Sequence, residues 1–212
     1  DATGAAGEGV YLCEHGDGGI RLNGKECTDT AFQKRARELE GHLVTEFCEQ
    51  ADYAVSIYPT TANTIRLVTM NPHDGRPFIA SAVHRIGSQA SGSVDNFSQG
   101  GLSSKINESG TLSSAVRYFN GDVTWYDRHP DSHSQISGVK VPDWDQLCEL
   151  ILEIVSDIPE FKYVGWDVIM TNAGPKIIEG NSNTDTDLIQ AHDPLLIDDK
   201  VRKFYLEHNV VN

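Results

Sequence analysis

The spacing of apolar positions changes character along the chain. Near the start, short apolar runs are separated by glycine and polar pairs. Val10-Tyr-Leu-Cys13 and Ile20-Arg-Leu22 predict two short strands, with a turn at Asp17-Gly18 or Gly18-Gly19 and another at Asn23-Gly24. Thr28 or Asp29 can cap a helix reaching about Leu39, which Gly41 stops. His42-Leu-Val-Thr-Glu-Phe-Cys48 predicts a buried strand, and the stretch from Gln50 to Tyr58 a short helix ended by Pro59.

Strands dominate further on. Asn63 to Met70 and Pro77 to Ile86 predict a hairpin around Asp74-Gly75. Ser88 to Gly101 has no hydrophobic period, and a polar loop of that length suggests function. Leu102 to Ile106, Thr111 to Tyr118 and Val123 to Tyr126 predict three more strands. Behind Pro142-Asp143, the positions Trp144, Leu147, Cys148, Ile151, Leu152 and Val155 fall at helical spacing. A last helix is predicted over roughly Pro194 to His208.

The segment between those helices carries the most chemistry. Tyr163 to Met170 and Pro175 to Asn181 read as strands around Thr171-Asn-Ala-Gly174. Folding about Ala173 sets Asp167 opposite Glu179, and Asn181, two residues on, shares that face. Facing carboxylates repel, so Asp167→Asn is expected to leave the unliganded fold as stable or more so. Val164, Trp166, Val168, Ile177 and Ile178 flank the acids, and Lys176 is the one basic residue in the two strands. Two acids and an amide oxygen suit a hard cation, and Mg2+ usually takes one or two carboxylates with the phosphates of a nucleotide. The competing reading is a solvated hairpin face, and a slip of one residue would part the acids.

In the earlier hairpin, Arg85 pairs with Thr64 and Arg66 with Val83, which places the two arginines on one face, a diagonal step apart. Adjacent guanidinium groups suit an anion between them, a carboxylate or a phosphate. They equally suit exposed strand positions, or an ion pair with Glu179. Gly4, Gly7 and Gly9 fit a flap whose backbone N–H groups approach phosphate oxygens, or a bare turn. Glu46-Phe47-Cys48 fits an extended linker that binds an adenine edge, or an ordinary strand end. No G-x-S-x-G elbow or cysteine motif points to covalent catalysis.

Composition narrows the classes. The formal charge of −14 over 212 residues speaks against a nucleic-acid partner, although local arginines and Mg2+ would still permit ATP. No apolar run is long enough for a membrane span. Cys13, Cys27, Cys48 and Cys148 lack C-x-x-C spacing and read as free thiols in a reducing, cytoplasmic setting. The start at Asp1, inside a glycine-rich stretch without an initiator Met, leads us to expect a piece of a longer protein.

The order of these features resembles the ATP-grasp superfamily, in particular its sugar-transfer-associated (polysaccharide-biosynthesis-associated) branch, akin to ribosomal-protein glutamate ligases. The carrying residues are Gly4-Ala-Ala-Gly7-Glu-Gly9-Val10, Val44-Thr-Glu46-Phe-Cys48, Asn63-Thr-Ile-Arg66 and Ala82-Val-His-Arg85. Val94-Asp-Asn96-Phe-Ser-Gln-Gly100-Gly101 and Val164-Gly-Trp-Asp167 through Ile178-Glu179-Gly-Asn181 complete the set. The resemblance implies an α+β fold of two lobes, mostly antiparallel sheet with flanking helices. Residues 1–47 would be part of the flap lobe and 48–212 the C-terminal lobe. It implies Asp167, Glu179 and Asn181 as ligands of Mg2+ (Mn2+ being the alternative), and Arg66 and Arg85 as catalytic groups on phosphate or acyl-phosphate. It implies Glu46, Phe47, Cys48, Asn63, Gly4, Gly7 and Gly9 around ATP, with Asn96, Gly100 and Gly101 near the substrate. The implied activity is carboxylate–amine ligation through an acyl-phosphate, on small substrates, with sugar-linked ones allowed; a nucleotide-binding scaffold without catalysis is the alternative. The family's N-terminal domain and its lysine before the glycine loop are not in the sequence, and Lys25 and Lys34 stand in the wrong context.

Overall fold

A computed structural model of the chain describes residues 11–16, 19–73 and 75–211. They divide into two units, residues 1–48 and 49–212. Gly4, Gly7 and Gly9 lie outside the described residues, as do Val10, Asp17, Gly18 and Asp74.

The first unit holds strands β1 (Cys13–Gly16), β2 (Gly19–Leu22) and β3 (Lys25–Cys27) in an antiparallel sheet of that order. The β2–β3 turn is Asn23-Gly24, both with positive φ (50° and 75°), the conformation a two-residue hairpin demands. Helix α1 (Asp29–Glu38) begins where expected, because the Thr28 hydroxyl accepts the Ala31 N–H. Two expectations fail: the strand expected over Val10 to Cys13 runs instead over Cys13–Gly16, and residues 42–48 have no regular secondary structure instead of forming a strand; β3 was not foreseen. An apolar run becomes a strand only where a neighbour takes its backbone N–H and C=O groups, and none of the three described strands does so.

The second unit opens with α2 (Asp52–Ile57) and is built on seven strands. These are β4 (Ile65–Met70), β5 (Phe78–Ile86), β6 (Leu102–Ile106), β7 (Leu112–Phe119), β8 (Asp122–Tyr126), β9 (Tyr163–Thr171) and β10 (Gly174–Asn181). Their order is β10-β9-β4-β5-β6-β7-β8, with every neighbouring pair antiparallel. With helices α3 (Trp144–Asp157), α4 (Asp187–Gln190) and α5 (Asp199–Glu207), this is an α+β fold. The expected C-terminal helix is broken. A single 3-10 turn, Leu195–Ile197, precedes α5, and the Asp198 carboxylate caps α5 by accepting the N–H groups of Lys200 and Val201.

Strand alternation sends side chains to two layers. On one face Ile65, Leu67, Ala82, Leu102, Trp166 and Val168 pack against Ile57 of α2 and Leu147, Ile151 and Val155 of α3. On the other, Val68, Met70 and Val83 pack against Leu188 and Ile189 of α4 and Val201 and Phe204 of α5. The second layer covers only part of its face, and Arg66, Arg85 and Asp167 share that face.

His84 is fully buried on the first face. Its Nδ1 faces the Arg85 carbonyl at 3.1 Å, which can only accept, so Nδ1 carries the proton and Nε2 accepts from the Tyr53 hydroxyl at 2.9 Å. Burial lowers its pKa to about 4, against which the Arg85 carbonyl works weakly. A depressed histidine pKa leaves the fold unpenalised above pH 6.5. As pH falls from 6.5 to about 4 the unfolded chain takes up a proton that the folded one refuses, so stability drops by on the order of 1 kcal/mol per pH unit. Urea unfolding at pH 7 and pH 5 should show this loss, and His84→Gln should flatten the slope.

Candidate functional site

The β9–β10 hairpin turns on Asn172-Ala173, with Thr171 paired to Gly174. Continued as a regular ladder, that turn would set Ile178 opposite Asp167 and turn Glu179 toward the helix-covered face. A β-bulge between Ile177 and Glu179 leaves Ile178 unpaired and brings Glu179 opposite Asp167. The pairing expected from a turn centred at Ala173 is therefore present, through a tighter turn and a bulge. Asn181 lies on the same face, its amide N–H donating to Glu179 Oε1 at 3.1 Å.

The sheet extends this row. Arg66 on β4 is the register partner of Asp167 on one side and of Val83 on the other. Arg85 sits a diagonal step away, its N–H bonded to the Thr64 carbonyl at 2.7 Å. Arg66 grips Asp167 with two nitrogens, Nε to Oδ1 and Nη2 to Oδ2 at 3.0 Å, and its Nη1 donates to the Thr184 hydroxyl at 2.6 Å. Arg85 Nη1 donates to Asp167 Oδ2 at 3.1 Å, and its Nη2 to Asp95 Oδ1 at 2.7 Å and Asn96 Oδ1 at 2.6 Å. The other oxygen of Asp95 accepts from the N–H and hydroxyl of Thr64. Arg66, Arg85, Asp95, Asp167 and Thr184 are all buried, whereas Glu179 is exposed.

One expectation is corrected by this arrangement. Asp167 and Glu179 do not face each other as an unneutralised pair, because the base arrives from the neighbouring strand, where hairpin arithmetic does not look. Burial works against the Arg66 cation, but Asp167 first, then Glu179 and Asp95, outweigh it and hold its pKa above the ordinary value. A guanidinium has five N–H donors. The hydrogen bonds above use three of those on Arg66 and three on Arg85, which leaves two on each for a further acceptor. Both arginines line a cavity of ≈ 610 Å³.

The other expected residues divide. Asn96 joins the cluster through Arg85. Gly100 and Gly101 shape the loop: Gly100 has a φ of +98°, and a Cβ on Gly101 would lie 2.6 Å from the Asp95 carbonyl oxygen, which only glycine allows. Asn63 stands apart. It is 1% exposed and fully engaged, donating to Gln50, Ala54 and Tyr58 and accepting from Thr61 and the Gly87 N–H. The structure thus makes it a tie between loops and leaves it no free donor for a nucleotide. Glu46, Phe47 and Cys48 fall in the first unit, without regular structure. Asp95 and Thr184 were not foreseen. Asp95 stood inside the Val94-Asp-Asn96 run, and its neighbour drew the attention. Thr184 is 118 residues from Arg66 and gave no local signal; it packs so closely on Gly165 that a Cβ there would meet its hydroxyl at 2.2 Å.

A model of the sugar-transfer associated ATP-grasp family matches residues 1–200. The chain belongs to that family. No curated protein matches it. Membership carries an ATP-dependent, ligase-type function associated with sugar transfer, and ATP-grasp folds typically bind ATP with Mg2+. The donor chemistry of this ATP-grasp site fits Mg2+ in a restricted way. Glu179 offers exposed carboxylate oxygens, and the Asn181 amide turns its N–H groups to Glu179 and the Gly165 carbonyl, its oxygen accepting no hydrogen bond among the described residues. Both oxygens of Asp167 already accept from guanidinium groups. Among the described residues, no three His, Cys, Asp or Glu side chains group as a metal site. Nucleotide-bound Mg2+ needs only one or two protein carboxylates.

Proposed function

We propose that this chain is the ATP- and Mg2+-binding part of a carboxylate–amine ligase that works through an acyl-phosphate, in the cytoplasm, in the assembly of cell-surface polysaccharide. The observation that carries this reading is the row Arg66–Asp167–Glu179 across three adjacent strands, with Arg85 one step away and Asn181 on the same face. Four guanidinium N–H groups stay open beside two hard-oxygen donors, the combination that a phosphate chain with its cation requires.

In this reading Arg66 and Arg85 bind and orient the terminal phosphate and stabilise the charge that grows on it during transfer. Asp167, Asp95 and Thr184 hold the two guanidinium planes in place, so little reorganisation is needed when the anion arrives. Glu179 and Asn181 would hold Mg2+ (or Mn2+), with Asp167 joining only by sharing an oxygen with an arginine. When bound, the ion neutralises and orients phosphate oxygens. Asn96, on the loop shaped by Gly100 and Gly101, would place the carboxylate substrate against Arg85. Glu46, Phe47 and Cys48 would offer backbone to the adenine, and the Gly4, Gly7 and Gly9 stretch would close over the phosphates.

Glu179→Gln separates this reading from a structural one. Glu179 is exposed and partnered by Asn181 alone among the described residues, so stability should change by no more than about 0.5 kcal/mol. Calorimetry should show ATP binding in Mg2+ that is lost or reduced at least about tenfold (about 1.4 kcal/mol) in the variant. ATP binding without any substrate-dependent ADP release would favour a nucleotide-binding scaffold, and no ATP binding would reject the proposal.

A further inference from the structure

The cavity above the arginines has a second character that phosphate binding does not use. Its floor is Arg66 and Arg85, and its volume, ≈ 610 Å³, is in the range of small-molecule sites. One wall is apolar and comes from Phe97, Val116, Tyr118 and Val123. Tyr118 pairs with Val123 and Val116 with Trp125 across β7 and β8, so all four share one side of the sheet. Tyr118 on β7 and Val123 and Trp125 on the edge strand β8 are 52%, 62% and 51% exposed, an apolar strip beside a sheet edge that proteins ordinarily blunt with charge. The segment Asp185 to Ala191 also lines the cavity, through Asp185, Asp187 and Gln190 beside the apolar Leu188 and Ala191.

Charge decides what this cavity prefers. The two floor cations are matched by the buried Asp95 and Asp167 behind them. Asp185 and Asp187 are exposed on the wall, and among the described residues neither forms an ion pair. The one hydrogen bond that Asp185 accepts is from the Asp187 N–H at 3.2 Å. Among the described residues, no lysine and no further arginine lines the space. Beyond the open N–H groups on the floor, the charge lining the space is therefore negative, and two aromatic side chains, Phe97 and Tyr118, line it with the two carboxylates. Carboxylates and aromatic rings lining one cavity suit an ammonium group.

We propose that this cavity is the acceptor subsite and takes a small molecule bearing a primary ammonium group, with Asp185 and Asp187 as counter-charges and Tyr118 as the wall against its carbon body. The inference rests on the ligase reading, in which the amine must lie beside the phosphate held by Arg66 and Arg85. Two sources share the chemistry, an amino sugar and an amino acid. Gln190 offers both donor and acceptor to hydroxyl groups of the first.

Calorimetric titration of the chain in Mg-ADP with glucosamine, glycine and glucose tests this. Saturable binding of glucosamine, glycine or both, with glucose at least tenfold weaker, is the expected result, and the better of the two amines names the source. The double variant Asp185→Asn/Asp187→Asn should weaken amine binding at least tenfold, and Tyr118→Ala severalfold, while both keep the wild-type affinity for Mg-ATP. Glucose binding as tightly as glucosamine, no amine binding, or an unaffected double variant would each overturn the subsite. Failure of the wild type to bind Mg-ATP would instead remove the ligase reading beneath it.

Discussion

Asp167→Asn is expected to lower the melting temperature of the second unit by roughly 10 °C, the equivalent of about 3–5 kcal/mol for a buried charge left without its partner. Asp167 accepts from two nitrogens of Arg66 and one of Arg85, and all three residues are at most 9% exposed. Asparagine would keep one acceptor oxygen, point an N–H group at a guanidinium, and leave Arg66 without its paired carboxylate, while Arg85 keeps Asp95. This reverses the sign expected from repulsion between Asp167 and Glu179 alone. Thermal melts of wild type and variant, each with and without Mg-ATP, decide between the two. A higher melting temperature for the variant would show that acid–acid repulsion governs. Equal nucleotide-dependent shifts in the two proteins would detach Asp167 from nucleotide binding altogether.

Asn63→Ala should be of similar size, about 2–5 kcal/mol, from buried groups that lose their partners. The Tyr58 carbonyl, 2.7 Å from Asn63 Nδ2, and the Gly87 N–H, 3.0 Å from Asn63 Oδ1, would both be left without them. Protein folded well below its melting point should still bind Mg-ATP within about twofold of wild type. An unchanged melting temperature with ATP binding abolished would return Asn63 to the nucleotide. Asn63→Asp keeps the acceptor for Gly87 but sets a carboxylate oxygen against the Ala54 and Tyr58 carbonyls, so it should cost at least as much stability.

Local pattern carried much of the second unit. β4, β5, β9 and β10 announced themselves by apolar runs on either side of turn residues, and α3 by its helical spacing. The shared face of Arg66 and Arg85 followed from strand parity alone. What stayed hidden depends on non-local contact. The row across three strands needs β4 beside β9, and these are about a hundred residues apart; no periodicity states which strands are neighbours. That adjacency supplies Arg66 to Asp167 and so fixes the charge balance of the site. The stretch 42–48 misled for the same reason, since strand composition there is not matched by a described partner. Asn63 shows another limit: it sits beside the arginine strand in sequence, but its side chain is turned inward and hydrogen-bonded to Gln50, Thr61 and backbone groups.

The bulge at Ile178 has a consequence for how lengths can vary among relatives. Glu179 follows Asp167 by 12 positions, an interval that a two-residue turn accommodates only by looping one residue out. A relative lacking the counterpart of Ile178 would pair the same two acids in an unbroken ladder. One with a longer turn could do so at the present interval. Alignments should therefore place a one-residue gap between the two acids at no cost to the site, and searches that demand a fixed interval would discard proteins with the same acidic row.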